Sequence, residues 1–597
     1  MATEIKLQTG ANYLITPVTQ AEFLTPEQFD EEQRLIRDTA RTFIEREVLP
    51  KSDAIEHKEP GVLPGLLKQA GEKGLLAVDI PEEYGGADLG LIVSTIVASE
   101  VRDASFGVAM GAQTTIGLLP IVYYGNAGQK AKYLPRLATG ELISAYCLTE
   151  PGNGSDAMGI KTRAELSEDG KYYILNGGKQ WISNGGFANV YIVFAKVDGT
   201  KHTAFIVERD WPGVSTGAEE HKMGINGSST VSVYFDNVKV PVENVLGEVG
   251  KGHKIAFNIL NIGRLKLGAG GAASCIGALA LATPYTSERK AFGKPLNAFG
   301  MIKKKLAHMA SDAYAAESLA YRTVGMVETA RRQAGENHQA QLAAIEEYAI
   351  EAAIAKVFGT EATARCVDEG VQIFGGYGFM QEYPIERAYR DARITRIFEG
   401  TNEINRLLLT GTLFKRAMAG RISVMDAFPE IEAAIAERRT PSVDVPEELR
   451  FAAEAVERAK AATAYVLMKA GMRYMTEIEQ EQEFLAAGAD MLINLFAMDS
   501  AVARAAAALR AGSSDAGRHA LAARLSVWRF LPGVTQAIAD VLENLAVDAV
   551  SAGERDDELA RLRAYLGDYH LASTPALRDL ATTVIGRGSY PFSVVGN

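Results

Sequence analysis

The hydrophobic periodicity of this chain changes twice, and that alternation restricts the fold more than any other feature of its 597 residues. Up to residue 144 the apolar positions recur mainly at helical spacing. Thr25-Pro26-Glu27-Gln28 supplies a cap, a first-turn proline and a box-closing glutamine, and Phe29, Leu35, Ile36, Phe43 and Val48 follow until Pro50. Pro81 to Gly86 reads as a loop. Near residue 145 the texture becomes short and β-rich: Lys171-Tyr-Tyr-Ile-Leu175, Val190 to Phe194, Thr203 to Val207 and Val231 to Phe235. Asn176-Gly177 behind the first run predicts a hairpin turn. From Lys251 to Ala419 the spacing is helical again. Arg438 to Pro446 reads as a linker, and the Ala-rich remainder favours long helices. The expected domains are 1–144 (helical), 145–250 (β), 251–420 (helical bundle) and 421–597 (appended helices). This order is not the βαβ alternation of a doubly wound sheet. It argues against reading Gly268-Ala-Gly270-Gly-Ala-Ala273 as a dinucleotide fingerprint, which needs a strand before it. Small residues at a helix crossing is the preferred reading.

The chain is 47% hydrophobic and 23% charged, ordinary for a globular protein, and too long for one core. Its net charge of −12 runs against the basic excess of nucleic-acid binders. Cys147, Cys275 and Cys366 read as reduced, buried thiols. The eight histidines show no pair at metal spacing; His308 and His338 read as structural, and no metal is expected. The N-terminus shows no targeting pattern, so a cytoplasmic protein is expected. No stretch reaches the roughly 18 apolar residues needed to span a bilayer, so any membrane contact is expected to be peripheral. Ala452 to Met475 is apolar enough to lie on a bilayer, but packing on the core is the favoured reading.

Four segments in common order resemble the acyl-CoA dehydrogenases. They are Ala145-Tyr-Cys-Leu-Thr-Glu-Pro-Gly-Asn-Gly-Ser-Asp156, Lys179-Gln-Trp-Ile-Ser-Asn-Gly-Gly186, Glu288-Arg-Lys-Ala-Phe-Gly-Lys-Pro295, and Gln372-Ile-Phe-Gly-Gly-Tyr-Gly378 with Arg396-Ile-Phe-Glu-Gly-Thr-Asn-Glu403. Together they cover residues 25 to 415. The appended helices, Asn261-Ile-Gly-Arg264 and Asn297 to Ile302 are similar to the very-long-chain branch. The resemblance implies a mainly α fold with a middle β domain: an N-terminal helical domain, a small antiparallel β domain, a C-terminal four-helix bundle and an appended helical domain. It implies FAD between β domain and bundle, completed by a neighbouring subunit, hence a homo-oligomer, expected as a dimer. The implied reaction is dehydrogenation of fatty acyl-CoA to trans-2-enoyl-CoA in β-oxidation, with electron-transferring flavoprotein as partner.

That chemistry needs a base for a weakly acidic α-proton, donors for the thioester oxygen, and a hydride acceptor. The family pattern places the base at Glu399; desolvation raises a carboxylate's basicity toward that task. Some relatives carry the base just before Arg264, where this chain has Gly263. Tyr146, Leu148, Thr149, Ser155, Trp181 and Ser183 match the flavin-ring positions, although Trp181 alone reads equally well as a core aromatic. Arg289 matches the cation that pairs with the pyrophosphate. Phe299, Gln372, Gly375, Gly376, Thr401 and Glu403 match other cofactor contacts, and Gly300 stands where other relatives have Gln. Asn261, Arg264, Ser155 and Gly400 match the substrate side, with Arg264 expected to order the surroundings of Glu399 and the CoA portion. Ser155 is not a nucleophile elbow, because Ala157 follows Asp156. Small Gly111 and Ala112 between Met110 and Gln113 suggest a deep acyl pocket and long-chain substrates. Two alternatives remain: an acyl-CoA oxidase with the same fold and base, and a DNA-associated relative, which the acidic balance disfavours.

Overall fold

Strand β3 (Tyr172–Ser183) runs straight through the Asn176-Gly177 pair that predicts a hairpin. The reversal lies earlier, at Ser167 to Gly170, where Asp169 accepts from Ser167 Oγ (2.7 Å) and from the Lys171 amide (3.1 Å). Asn176-Gly177 instead forms a β-bulge. The register against β7 (Thr230–Pro241) slips between Leu175 and Gly177, and Asn176 Oδ1 accepts from the Asn237 amide at 2.9 Å. Gly177 lies at φ 148°, and a Cβ there would come within 2.6 Å of Thr162. Glycine is required here for close approach, not for a two-residue turn.

The structure is a computed structural model that describes residues 9–18, 24–335, 337–546 and 552–592. The chain forms two compact units: residues 30–266 with 334–346, and residues 1–29, 267–333 and 347–597. In the first, the sheet order is β6-β7-β3-β2-β4-β5-β8, with β1 (Ser144–Cys147) also on β4 (Val190–Val197). β2 (Arg163–Leu166), β5 (Lys201–Glu208), β6 (Val214–Thr216) and β8 (Val245–Leu246) complete it. The sheet is not purely antiparallel, since β1 and β2 both run parallel to β4. Phe43, Leu67 and Phe106 of the preceding helices share one apolar cluster with Tyr191, Val193, Phe205 and Val233 of the sheet.

The first long helix of this unit starts later than expected. Thr25 to Gln28 closes a capping box around a single 3₁₀ turn. Asp30 caps the helix Glu31–Phe43, accepting from the Gln33 amide at 2.8 Å. Leu35, expected on the apolar stripe, is 67% exposed.

The second unit is helical. Gly300–Gln333, Ala349–Phe374 and Asn402–Met418 belong to the bundle, and Arg450–Tyr474, Gln482–Arg510, Ala516–Ala546 and Ser573–Arg587 to the appended region. Gly268 and Gly271 lie on the helix Gly252–Glu288, where an added Cβ would come within 2.7 Å of Ala355 or 2.6 Å of Gly359 backbone. The glycine cluster is thus a helix crossing. Ala452, Val456, Ala459, Thr463 and Val466 of Arg450–Tyr474 are buried, so this segment packs into the protein.

The expectation that no stretch is apolar enough for a membrane needs correction. Ala104–Tyr124, Gly252–Glu288 and Gln482–Arg510 are long and apolar enough to cross one, with window hydropathies of 1.4, 1.5 and 1.4. Alanine and the larger aliphatic residues raise the mean hydropathy of these windows although glycine and polar residues interrupt the apolar run. The windows in the first and last are 72% and 83% buried inside the protein, where that apolarity serves packing.

Charged groups are also buried between bundle and appended helices. Asp499 accepts from Arg322 and forms an ion pair with Lys460 at 2.5 Å; Arg504 pairs with Glu317 at 2.8 Å and with Glu27. All but Glu27 are almost wholly inaccessible. Replacing Asp499 by Ala leaves two buried cations without their shared carboxylate. Thermal and urea unfolding of D499A is expected to show a loss of about 3–5 kcal/mol; an unchanged melting curve would contradict this packing role.

Candidate active site

In the sheet-containing unit, the positions expected near a flavin ring are arranged around one buried ion pair. Lys179 Nζ on β3 meets Glu150 Oε1 at 2.7 Å and also donates to Leu148 O at 3.1 Å. Glu150 further accepts from the amides of Lys161 (2.6 Å) and Thr162 (3.0 Å) and from Thr162 Oγ1 (2.6 Å). Burial pushes the Glu150 carboxyl upward, but the Lys179 charge and these donors hold it below the usual carboxylate range. Burial lowers the Lys179 ammonium, against the pull of Glu150. The pair fastens the segment after β1 onto β3. Tyr146, on β1 with its ring 5.0 Å from Phe194, and Leu148, on that segment, are both buried. Thr149 O accepts from the Gln180 amide at 2.9 Å, and Ser155 is exposed in the following loop.

A second bulge in β3, between Lys179 and Ile182, decides where Trp181 goes. Its backbone is left-handed (φ 59°) and its side chain is 59% exposed. The sequence alone left a core aromatic open; the bulge turns the indole outward. Ser183, at the end of β3, is half-buried opposite Thr230. Elsewhere in this unit Asn261 and Arg264 are buried one helical turn apart, with Arg264 Nη1 donating to Asn261 Oδ1 at 2.9 Å.

In the helical unit, Arg289 is exposed and its guanidinium lies 5.3 Å from the Tyr377 ring centroid. Tyr285 stacks on Phe374 at 4.0 Å and bonds its carbonyl. These contacts bring the end of one helix beside the turn containing Gln372, Gly375 and Gly376. Gln372 is exposed and its carbonyl accepts at the helix C-cap. Gly375 takes φ 62°, and a Cβ at either glycine would meet open space. Strands β9 (Lys290–Ala291) and β10 (Lys294–Pro295) make a small hairpin whose Phe292-Gly293 tip has left-handed backbone at both residues. Phe292 is 94% exposed and 6.2 Å from the half-buried Phe299. Glu399 is half-buried at φ 57° and Gly400 follows at φ 80°. Thr401 caps the next helix by accepting from the Ile404 amide at 3.2 Å. Glu403, exposed in its first turn, is held low in pKa by its own amide and the Thr401 hydroxyl.

The domains match known families in the same order. The acyl-CoA dehydrogenase N-terminal domain matches residues 30–141, the middle domain 145–238, the C-terminal domain 250–414, and a second acyl-CoA dehydrogenase C-terminal domain 458–561. A probable acyl-CoA dehydrogenase of Bacillus subtilis (strain 168) is 45% identical over 568 residues, 94% of each chain. The chain belongs to the acyl-CoA dehydrogenase family. The human mitochondrial very long-chain specific acyl-CoA dehydrogenase is 39% identical over 531 residues, covering 83% of this chain and 78% of that one. The crystal structure of an acyl-CoA dehydrogenase complexed with FAD from Bacillus anthracis matches at a TM-score of 0.95 and 43% identity, covering 98% of this chain and 100% of that chain.

This acyl-CoA dehydrogenase is an FAD-dependent oxidoreductase, and its residues fit the group. Trp181 presents a flat apolar face to solvent, the glycines at 375 and 376 leave space a Cβ would fill, and Arg289 offers an exposed bidentate cation. Sequence reasoning did not single out Phe292 or Tyr377. The local signal for Phe292 was the glycine that follows it, a residue that accepts positive φ in a tight hairpin turn. Nor did it single out the Lys179–Glu150 pair, whose partners lie 29 residues apart.

Glu150→Gln leaves the buried Lys179 without a counter-charge. It is expected to lower stability by about 3–5 kcal/mol and to reduce the flavin absorbance per protein. Because the folded carboxyl titrates below its ordinary value, the wild-type pair stabilises fully above about pH 4 and loses that contribution as pH falls through the depressed value. The difference in melting temperature between wild type and E150Q should therefore shrink in acid. A difference independent of pH would rule out the charge pair as its source.

Proposed function

We propose that this enzyme oxidises long-chain fatty acyl-CoA at the α and β carbons, with Glu399 removing the α-proton. The observation that carries the reading is the backbone at Glu399. A glutamate at φ 57° is in a region that non-glycine residues avoid, and such strain concentrates where a side chain must be aimed. Gly400 beside it lets a substrate approach the backbone closely. Gly263 has no side chain to act as an alternative base. FAD, when bound, supplies the acceptor for the β-hydride. In this reading Tyr146, Leu148, Thr149, Ser155, Trp181 and Ser183 hold and cover its ring. Arg289 pairs with its phosphates, and Phe299, Gln372, Gly375, Gly376, Thr401 and Glu403 complete the cofactor contacts. Asn261, Arg264, Ser155 and Gly400 face the acyl-CoA. The exposure of Arg289 and Phe292 supports a homodimer in which each chain reaches its neighbour's cofactor.

Glu399→Gln keeps shape and polarity but removes the base. It is expected to stay yellow and folded while turnover falls by about 10³-fold or more; near-wild-type turnover would refute the assignment. The assay uses electron-transferring flavoprotein as acceptor. Fast peroxide formation with no reduction of that protein would favour the oxidase alternative.

The long-chain reading draws support from the segment Met110 to Thr114. Gln113, which a polar pocket end would have required, is wholly buried and used elsewhere: it donates to Leu137 O (3.0 Å) and Leu142 O (3.2 Å) and accepts from the Ser144 amide (2.7 Å). Met110 and Ala112 are buried, whereas a Cβ on Gly111 would meet nothing within 4 Å. Each methylene buried beyond this point adds about 0.8 kcal/mol. Wild-type kcat/KM is expected to be greater for C12 and C16 than for C4 and C8, and Gly111→Leu should reduce the advantage of C16. A wild-type maximum at C4 or C8 would refute the deep pocket.

A further inference from the structure

The turn that carries Glu399 rests on a buried ammonium group. Lys356, fully inaccessible on the helix Ala349–Phe374, donates from Nζ to Gly400 O at 2.7 Å and to Asn402 Oδ1 at 2.7 Å. Asn405, also fully buried, donates from Nδ2 to Gly400 O (2.8 Å), Thr401 O (3.0 Å) and Glu399 O (3.4 Å). These carbonyls belong to the left-handed turn and lie ahead of the helix that starts at Asn402; Thr401 O also accepts the first bond of that helix, from the Asn405 amide at 2.9 Å. Two side chains converge on Gly400 O, the carbonyl directly after the strained residue.

We propose that Lys356 and Asn405 are positioning residues for the reaction: together they hold Glu399 in its left-handed backbone and so aim its carboxylate, and the Lys356 charge favours the ionised, proton-accepting form. This rests on the reading of Glu399 as the base. The neighbouring charges form their own chain. Glu361, on the same helix as Lys356, accepts from Asn402 Nδ2 (3.0 Å) and Arg406 (2.8 Å), and Arg406 also pairs with Asp490 (2.9 Å). Arg396 and Glu403 lie on the stretch of Glu399 itself, Glu403 exposed. Lys356 is the cation hydrogen-bonded to the turn. Lys356 is held on the carbonyl of the residue next to Glu399; a cation near a carboxylate favours its ionised form, so losing Lys356 is expected to move the acid limb of the rate profile to higher pH. Losing Asn405 slackens the turn without changing charge and leaves that limb in place.

The experiment is rapid-mixing reduction of the flavin by a C16 acyl-CoA in the full-length enzyme, followed across pH for wild type, K356M, N405A and E399Q. FAD content and substrate KM are measured for each. K356M is expected to reduce its flavin about 100-fold more slowly, with KM within about 3-fold of wild type and an acid limb displaced upward by about one pH unit. N405A should be slowed about 10-fold, with its limb unmoved. An inactive E399Q alongside K356M and N405A at wild-type rate and profile would overturn the positioning role and leave the base assignment standing. An active E399Q would overturn the base assignment itself. If K356M fails to fold, N405A decides: a wild-type rate there overturns the proposal.

Discussion

A charge withdrawn from water must be answered by another group, and that requirement organises both units. The cost of desolvating an ion is recovered only when opposite charges and hydrogen bonds meet it at close range. In the sheet unit the requirement ties Lys179 to Glu150 and thereby fastens the segment after β1 to β3. In the helical unit it ties Lys460 and Arg322 to Asp499, and Arg504 to Glu317 and Glu27, so that the appended helices and the N-terminal segment are bound to the bundle by charge as well as by apolar packing. Lys356 is held in part by a backbone carbonyl and an amide oxygen, and this puts a cation against the turn of Glu399.

Three of the left-handed non-glycine residues, Trp181, Phe292 and Glu399, fall where chemistry is expected. Trp181 and Glu399 are both left-handed, and each is held there by a neighbour: a strand bulge for one, donors to consecutive carbonyls for the other. Regular secondary structure cannot aim a side chain at will, because its direction follows the period. A bulge or a capped turn breaks that rule at the cost of strain, which the surrounding packing must sustain. The same device gives Phe292 its exposed place at a hairpin tip.

The candidate site residues could be picked out in the sequence because their motifs are local. Ala145 to Asp156, Lys179 to Gly186, Glu288 to Pro295 and Phe398 to Glu403 each lie on a continuous piece of chain, and the conformations that present them arise within a few residues. The groups that hold those pieces were not legible: Lys356 is 44 residues from Gly400, and nothing in the spacing of a helical lysine distinguishes a solvated cation from a buried clamp. Asn176-Gly177 shows the opposite failure. The pair does favour a turn, but β7 and Thr162 pack so closely around Gly177 that a bulge in a continuing strand prevails.

By itself, the sequence determined the order of helical and β regions, the helix crossing at Gly268 and Gly271, and the position of the Phe-Glu-Gly-Thr turn. All of these follow from periodicity, side-chain size and short-range caps. Only the tertiary structure decided that the first long helix starts at Glu31 behind an Asp30 cap, that Trp181 faces outward, that β1 and β2 run parallel to β4, and that Arg322 finds Asp499 at a separation of 177 residues. The physical reason is that burial and charge pairing depend on distance in space. Local periodicity states which face of an element is apolar, but not which distant group will answer a charge enclosed against it.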